Sequence, residues 1–305
     1  MKKTLIIILI LTLTLSAFTG CGSPQQKEAV AKDVLDETTD AMGQEIKSPV
    51  KVPETLTIVS TAASITEVLF ALGCGEDIIG VDLYSNYPDQ ALEIEKIGDF
   101  NGFDIEKVIS LNPDIVFAGN GLQHEQILAL TDAGLNVVSV EPTYYEDIET
   151  SITLIGKQVG KEKEAEELVQ RIKATENEVL AKAKSLEENQ TVYYVMGIGD
   201  YGNWTSGEGS FINSVMEMAG GICITQGSEL EWIDYPVEDL ISNDPDVLIV
   251  SNWVLEEDLL NDPSYKDLTA IKEGNYYYIN PDIIERPGPR IGEAMKQIQE
   301  YLLGE

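Results

Sequence analysis

The sequence is short of the residues that most chemistry needs. It holds one histidine, three cysteines, and 20 lysines and arginines against 53 aspartates and glutamates. A lone histidine, His124, leaves no convincing Ser-His-Asp set, and no Cys/His cluster has zinc spacing. No catalytic residue, resident cofactor or metal is therefore expected, and the chain does not read as an enzyme. The formal charge of −33 argues against nucleic-acid binding, which sets cations against phosphate, and disfavours adsorption to an anionic membrane surface. Cys74 and Cys223 stand near glycines in apolar surroundings, one in each half. Separate halves would hold them beyond disulfide reach, so both read as small buried apolar residues. Between Lys161 and Leu186 there is neither glycine nor proline.

What is present is a repeat. Ile105-Glu106-Lys107-Val108-Ile109-Ser110-Leu111-Asn112-Pro113-Asp114-Ile115-Val116-Phe117 reads again as Val237-Glu238-Asp239-Leu240-Ile241-Ser242-Asn243-Asp244-Pro245-Asp246-Val247-Leu248-Ile249. The offset is constant (238 − 106 = 132), and the match runs on to Asn120 and Asn252. Each copy predicts a short amphipathic helix, a turn at Asn-Pro-Asp or Asp-Pro-Asp, and a buried parallel strand. One such unit per half predicts two similar α/β lobes with mainly parallel sheets and a ligand cleft between them.

The chain in order supports that division. Lys2, Lys3 and the apolar run Thr4 to Phe18 form a targeting segment too short to span a membrane comfortably. With Thr19 and Gly20 before Cys21, it resembles a bacterial lipoprotein signal (1–20), cut before Cys21 with a diacylglycerol on its sulfur; Phe18 stands where leucine is usual. The body is then extracytoplasmic. Residues 21–53 are polar and acidic, a flexible tether with a reach of roughly 30 Å. An N-terminal lobe is expected over 54–145, opening with a strand at 56–60 and a helix from Ser64 to Leu72, where Ser64 and Glu67 form a capping-box pattern. Residues 146–188 read as connecting helices. Their central part, Lys161 to Leu186, predicts one rigid α-helix of roughly 40 Å joining the lobes. It carries too few apolar heptads for a coiled coil, so a monomer is expected. The C-terminal lobe spans 189–305.

Gly197-Ile198-Gly199-Asp200-Tyr201-Gly202 matches G-x-G-x-x-G only superficially, because no helix starts on it. More informative are aromatics at predicted loop tips: Tyr84, Phe100, Trp204, Trp232 and Trp253. They fall where strands leave the sheets, the usual ligand face of an α/β lobe. Such rings suit a large, flat, partly apolar ligand such as a corrin or porphyrin, although some would cap the lobe cores instead.

The stretch Gly80 to Pro88, the repeat helices, Trp232, and Glu285-Arg286-Pro287-Gly288-Pro289-Arg290-Ile291 resemble the vitamin B12-binding proteins of ABC importers, from about residue 55 onward. These belong to the helical-backbone class of substrate-binding proteins, which includes siderophore and haem binders. The resemblance implies two lobes joined by one long helix, limited closure, and delivery of cobalamin or a related corrinoid to a permease dimer and its ATPase. It implies that Glu106 and Glu238 pair with arginines on the two permease subunits; one acidic group per lobe independently suits a two-fold partner. It places Tyr84, Trp232 and Arg286 at the cleft, Arg286 against an amide or propionate. Phe100 stands where the family often has Trp, and Gly119 and Asn120 replace an aromatic and a polar residue. Trp253 is expected to compensate from the opposite lobe. His124 is a weaker candidate as an axial ligand, which with Tyr84 would favour haem. The alternatives are a haem or siderophore binder of the same class and a sensor lipoprotein without a transport role.

Overall fold

The computed structural model describes residues 39, 40, 43, 45, 56–99, 102–119, 123–140, 142–186, 188–199 and 202–304. The signal segment, Cys21, most of the tether, Phe100 and Asn120 lie outside the described residues.

The first lobe is built from β1 (Ile58–Ser60), α1 (Ala63–Ala71), β2 (Ile78–Val81), the short strands β3 (Gly98–Asp99) and β4 (Gly102–Phe103), α2 (Ile105–Leu111), β5 (Ile115–Ala118), α3 (His124–Asp132) and β6 (Val137–Ser139). Two helices follow, α4 (Asp147–Val159) and α5 (Glu162–Ala183). The second lobe contains β7 (Thr191–Val195), β8 (Trp204–Ser206), α6 (Phe211–Met218), β9 (Ile222–Cys223), β10 (Trp232–Asp234), α7 (Val237–Asn243) and β11 (Val247–Ser251). It closes with α8 (Glu256–Asn261), α9 (Thr269–Glu273), β12 (Tyr276–Ile279), α10 (Pro281–Ile284) and α11 (Ile291–Leu303).

Each lobe holds a four-stranded parallel sheet, ordered β2-β1-β5-β6 and β12-β11-β7-β9. Read from the other edge, the second is β9-β7-β11-β12, so the two topologies are the same. The repeat persists atom for atom at its turn. Asn112 and Asp244 end α2 and α7 in the left-handed region, at φ 48° and 39°, the two described non-glycine residues with positive φ. Short polar side chains tolerate that region best. Two residues on, Asp114 Oδ2 accepts from the Thr57 amide at 2.8 Å and its hydroxyl at 2.7 Å. Asp246 Oδ2 accepts from the Thr191 amide and hydroxyl at the same two distances. Each aspartate thus clamps the start of its strand to the first strand of its lobe. The offset continues to α3 and α8 (256 − 124 = 132), where Ile127 and Leu259 are both fully buried.

Both faces of each sheet are covered, as parallel sheets require. In β5, Ile115 and Phe117 face one apolar cluster and Val116 another; Val247 and Ile249 in β11 alternate with Leu248 and Val250 in the same way. The largest cluster is continuous through both lobes, by way of α4, α5, α6 and α11. Cys74 and Cys223 lie buried within it as free thiols, as expected, and burial pushes the Cys74 thiol up to about 11.

The connector departs from its expected length. Gly160 caps α4 at φ 69°, and α5 starts at Glu162 and stops at Ala183, three residues before Leu186, giving 22 residues or ~33 Å. It is nevertheless held on both sides. A Cβ on Gly156 of α4 would sit 2.5 Å from Ala165 Cβ, and one on Gly292 of α11 2.9 Å from Thr175 Cγ2. Helix α5 therefore crosses one helix from each side at near-backbone contact. Two segments expected as loops form antiparallel ribbons instead, β3 with β4 and β8 with β10. The capping box does not form: Ala62 is the N-cap of α1, and Glu67 points elsewhere. Asp40, within the segment read as tether, is buried and accepts from the Ser139 amide on edge strand β6.

Replacing Asp114 or Asp246 with alanine is expected to cost about 1–2 kcal/mol each, because a charge-assisted link between strands is lost. Urea unfolding of each variant measures it, and the two losses should be alike.

Candidate functional site: the cleft at the strand ends

In both lobes the strand order reverses beside the first strand, so the carboxyl ends of β1, β5, β7 and β11 mark the places where a crevice opens. Two cavities lie there. One, of ≈ 610 Å³, is lined by residues following β1, β2, β5, β11 and β12, among them Thr61, Asp82, Tyr84, Gln123, Trp253, Glu285 and Arg286. The other, of ≈ 790 Å³, is lined by Met196 to Gly199, Trp204, Trp253 to Leu255, Asp258, Asn261 and Asp262. Trp253 walls both, and at 67% exposure its indole stands free at the tip of β11.

The first-lobe wall is set by hydroxyl chemistry. Thr61 donates to Gln123 Oε1 at 2.6 Å, and the Gln123 amide returns a bond to the Thr61 carbonyl at 3.1 Å. Ser85 donates its hydroxyl hydrogen to Asp82, and its oxygen lies 2.7 Å from the Thr66 hydroxyl, which lies 2.8 Å from that of Ser60. Burial pushes the Asp82 carboxyl up, against the opposing pull of these bonds and of Arg286. Glu285 is also pushed up by burial, while the Tyr194 hydroxyl donates to it at 2.5 Å.

The floor is an ion cluster between lobes. Glu67, on α1, has a side chain only 2% exposed. It receives Arg286 Nη1 at 2.9 Å, and Arg290 Nε and Nη2 at 2.8 and 2.6 Å. Arg286 also donates to Asn86 Oδ1 at 2.8 Å, Asp282 Oδ1 at 2.5 Å and the Tyr84 carbonyl at 3.1 Å. The Arg290 guanidinium lies 4.1 Å from the Tyr87 ring centroid. The second-lobe loop thus grips the first lobe through both arginines.

The predicted site residues separate accordingly. Tyr84, Trp253 and Arg286 come together around the first cavity, and Trp204 reaches the second. Trp232 sits on β10 opposite Ser206, half-buried against the core and outside both linings. His124 is exposed on the first turn of α3 and lines neither cavity. Among the described residues no group of His, Cys, Asp and Glu is arranged to hold a metal ion. Glu106 and Glu238 are exposed at matching places in the first turns of α2 and α7. Each helix runs back into the strand that follows it, so both carboxylates stand on the rim where the strands end.

The sequence pattern of the periplasmic binding proteins matches residues 58–283. The chain belongs to this family. Its members are solute-binding proteins and not enzymes, and the chain is an extracytoplasmic substrate-binding protein. An uncharacterized ABC transporter substrate-binding lipoprotein of Bacillus subtilis, YvrC, is 29% identical over 311 residues, covering 99% of this chain and 98% of that one. The vitamin B12-binding protein of Vibrio cholerae is 25% identical over 251 residues, 80% of this chain and 88% of the relative. The periplasmic heme-binding protein RhuT of Roseiflexus sp. RS-1, 24% identical, superposes with a TM-score of 0.75 over 82% of this chain and 98% of that one. It shows the same two-lobed, helix-joined fold.

Within that family frame, Thr61, Gln123, Asp82, Glu285 and the Glu67 cluster were not singled out by sequence reasoning. The available signal was Glu67 itself, a carboxylate inside an otherwise apolar helix. Glu67→Ala is expected to cost about 3–5 kcal/mol, since it leaves two arginines buried without their partner; thermal and urea unfolding measure it. Glu285 gives the opposite sign. Its folded carboxyl binds protons more readily than the unfolded one, so its penalty is absent below the ordinary carboxylate value and grows as pH rises through the raised value. Glu285→Gln should therefore gain stability over the wild type at pH 7, with the difference shrinking toward pH 4.

Proposed function

We propose that the chain captures cobalamin or a related corrinoid outside the cell, anchored through lipidated Cys21, and delivers it to the permease of an ABC importer. The observation that carries the ligand class is the charge of the cleft. Its walls hold Asp82, Asp282 and Glu285 in one cavity and Asp258 and Asp262 in the other. Against these five carboxyls stands Arg286, whose two terminal nitrogens are already taken by Glu67, Asn86, Asp282 and the Tyr84 carbonyl. A haem brings two propionates, and a catecholate ferric siderophore brings net negative charge; either would meet carboxyls, with no free cation among the described lining residues. Like charges brought together in a partly dry cleft are costly. A corrin ring instead carries primary amides on its edge. Their N–H groups donate to carboxylates such as those lining both cavities. Tyr84, Trp204 and Trp253 supply the flat apolar contact. The Vibrio relative's name agrees with the ligand and the Bacillus relative's with a substrate-binding lipoprotein, whereas the Roseiflexus neighbour is named for haem.

No bond is made or broken. Affinity comes from ring contact and burial in a cleft whose lobes are already tied, so little ordering remains to be done on binding. Glu106 and Glu238, one per lobe on the same rim, would meet one cation on each of two permease subunits.

Titrating the full-length chain with cyanocobalamin, cobinamide and haemin, followed by absorbance and tryptophan quenching, tests the ligand. Saturable corrinoid binding is expected, weakened about tenfold by Trp253→Ala. Saturable haemin binding without corrinoid binding overturns it. Reversing both Glu106 and Glu238 to arginine should abolish uptake and leave ligand affinity unchanged.

A further inference from the structure

Isolated exposed apolar side chains are ordinary on protein surfaces and by themselves mean nothing. Among the described residues two exposed apolar pairs are duplicated, Leu128 with Leu260 on α3 and α8, and Ile109 with Ile241, which stand beside the glutamates of the docking reading above. They occupy the same register of α2 and α7 (241 − 109 = 132), three residues after Glu106 and Glu238, and are 42% and 53% exposed. Ser110 and Ser242 follow, also exposed in both copies. Positions i, i+3 and i+4 share one face of a helix. Each lobe therefore presents the same Glu, Ile and Ser on one solvent-facing surface.

Folding does not account for this identity. The inward position of the same helices holds Val108 in one lobe and Leu240 in the other, both fully buried, so the cores accept different side chains. The non-identical neighbour Lys107 is engaged by Glu95 and by the Lys96 carbonyl. Within the two helices, what the lobes keep alike is the exposed Glu, Ile and Ser, whose one recorded hydrogen bond is local, from the Ser110 hydroxyl to the Lys107 carbonyl. A surface held in common by two halves that never exchange places fits a partner which is itself two-fold.

We propose that Ile109 and Ile241 are the apolar anchors of the permease-docking surface, each seated in an equivalent socket on one of two permease subunits. On each helix the isoleucine and glutamate Cβ atoms are about 5–6 Å apart, so both meet the partner at one place. This rests on the docking reading above and adds to it the residue that supplies contact area: the glutamates orient the encounter, and the isoleucines hold it. Exposed charge pairs are screened by salt, whereas a buried apolar anchor is not.

The test uses the full-length chain and the permease–ATPase complex reconstituted in nanodiscs, with docking affinity read at low and high salt. Ile109→Ser and Ile241→Ser are each expected to weaken docking about tenfold, with corrinoid affinity and urea midpoint unchanged. Leu92→Ser and Leu230→Ser, exposed but unmatched in the other lobe, should dock as the wild type. The isoleucine loss should persist at high salt, and the loss from Glu106→Arg with Glu238→Arg should fade. Wild-type docking by both isoleucine variants, while the glutamate reversals still impair it, overturns the anchor assignment and leaves the docking reading standing. Wild-type docking by all four variants removes the docking reading itself.

Discussion

The buried carboxylate of Glu67 is the constraint on which the cleft depends. It belongs to the first lobe by sequence, yet its two oxygens are filled from the second, by Arg286 and Arg290. Desolvating one carboxylate and two guanidiniums is expensive, and their attraction repays it only when geometry and remaining hydrogen bonds are complete. Here they are nearly so: Asp282, Asn86 and the Tyr84 carbonyl take further donors of Arg286, and Tyr87 covers Arg290. A cluster of this kind adds little stability over an apolar contact but tolerates little displacement. It fixes how the loop after β12 meets the end of β2. With α5 crossing Gly156 on one side and Gly292 on the other, the lobes are tied at two places, the cleft floor and the helical spine.

The same cluster decides the electrostatics of the cleft. An arginine at the floor of a binding site ordinarily invites an anion. Arg286 does not, because its charge is answered by Glu67 and Asp282 before any ligand arrives. What remains toward the opening is carboxylate and ring. The proposed preference for an uncharged ligand rests on where the cation is spent, and not on whether one is present.

Much of the architecture was legible in the sequence because it is local or repeated. The helix–Pro-Asp–strand unit announced both lobes, and its aspartates clamp Thr57 and Thr191 as a duplicated turn should. Periodicity alone found the connector and its start just after Gly160, the left-handed cap of the preceding helix, but ran it past Ala183 to Leu186. What was not legible was long-range. Ser64 and Glu67 have capping-box spacing, but Glu67 is claimed by residues more than 200 positions away, and spacing carries no information about such partners. The ribbon of β8 and β10 was hidden for the same reason: it pairs Trp204 with Asp234 across 30 residues of helix and loop. That register puts both tryptophans on one face of the ribbon, where Trp204 at one end lines a cavity and Trp232 at the other packs half-buried against the core.

A cleft that is tied at floor and spine has a consequence for delivery. If ligand binding moves the lobes little, a partner cannot recognise the loaded protein by a large change in the separation of Glu106 and Glu238. On the docking proposed above, two points on lobes tied in this way would act as a fixed caliper, engaging a two-fold partner in register whether or not the cleft is filled. Release must then come from the partner's side, by prying at the rim where the two helix faces stand. The floor resists, because pulling α1 from the loop after β12 strips Glu67 of its arginines in a setting where water is scarce. The lobes are therefore expected to part first at the rim, beside Trp253 and Tyr84, and last at the ion cluster. That is the order in which a flat ligand held by edge amides and ring contacts would be let go.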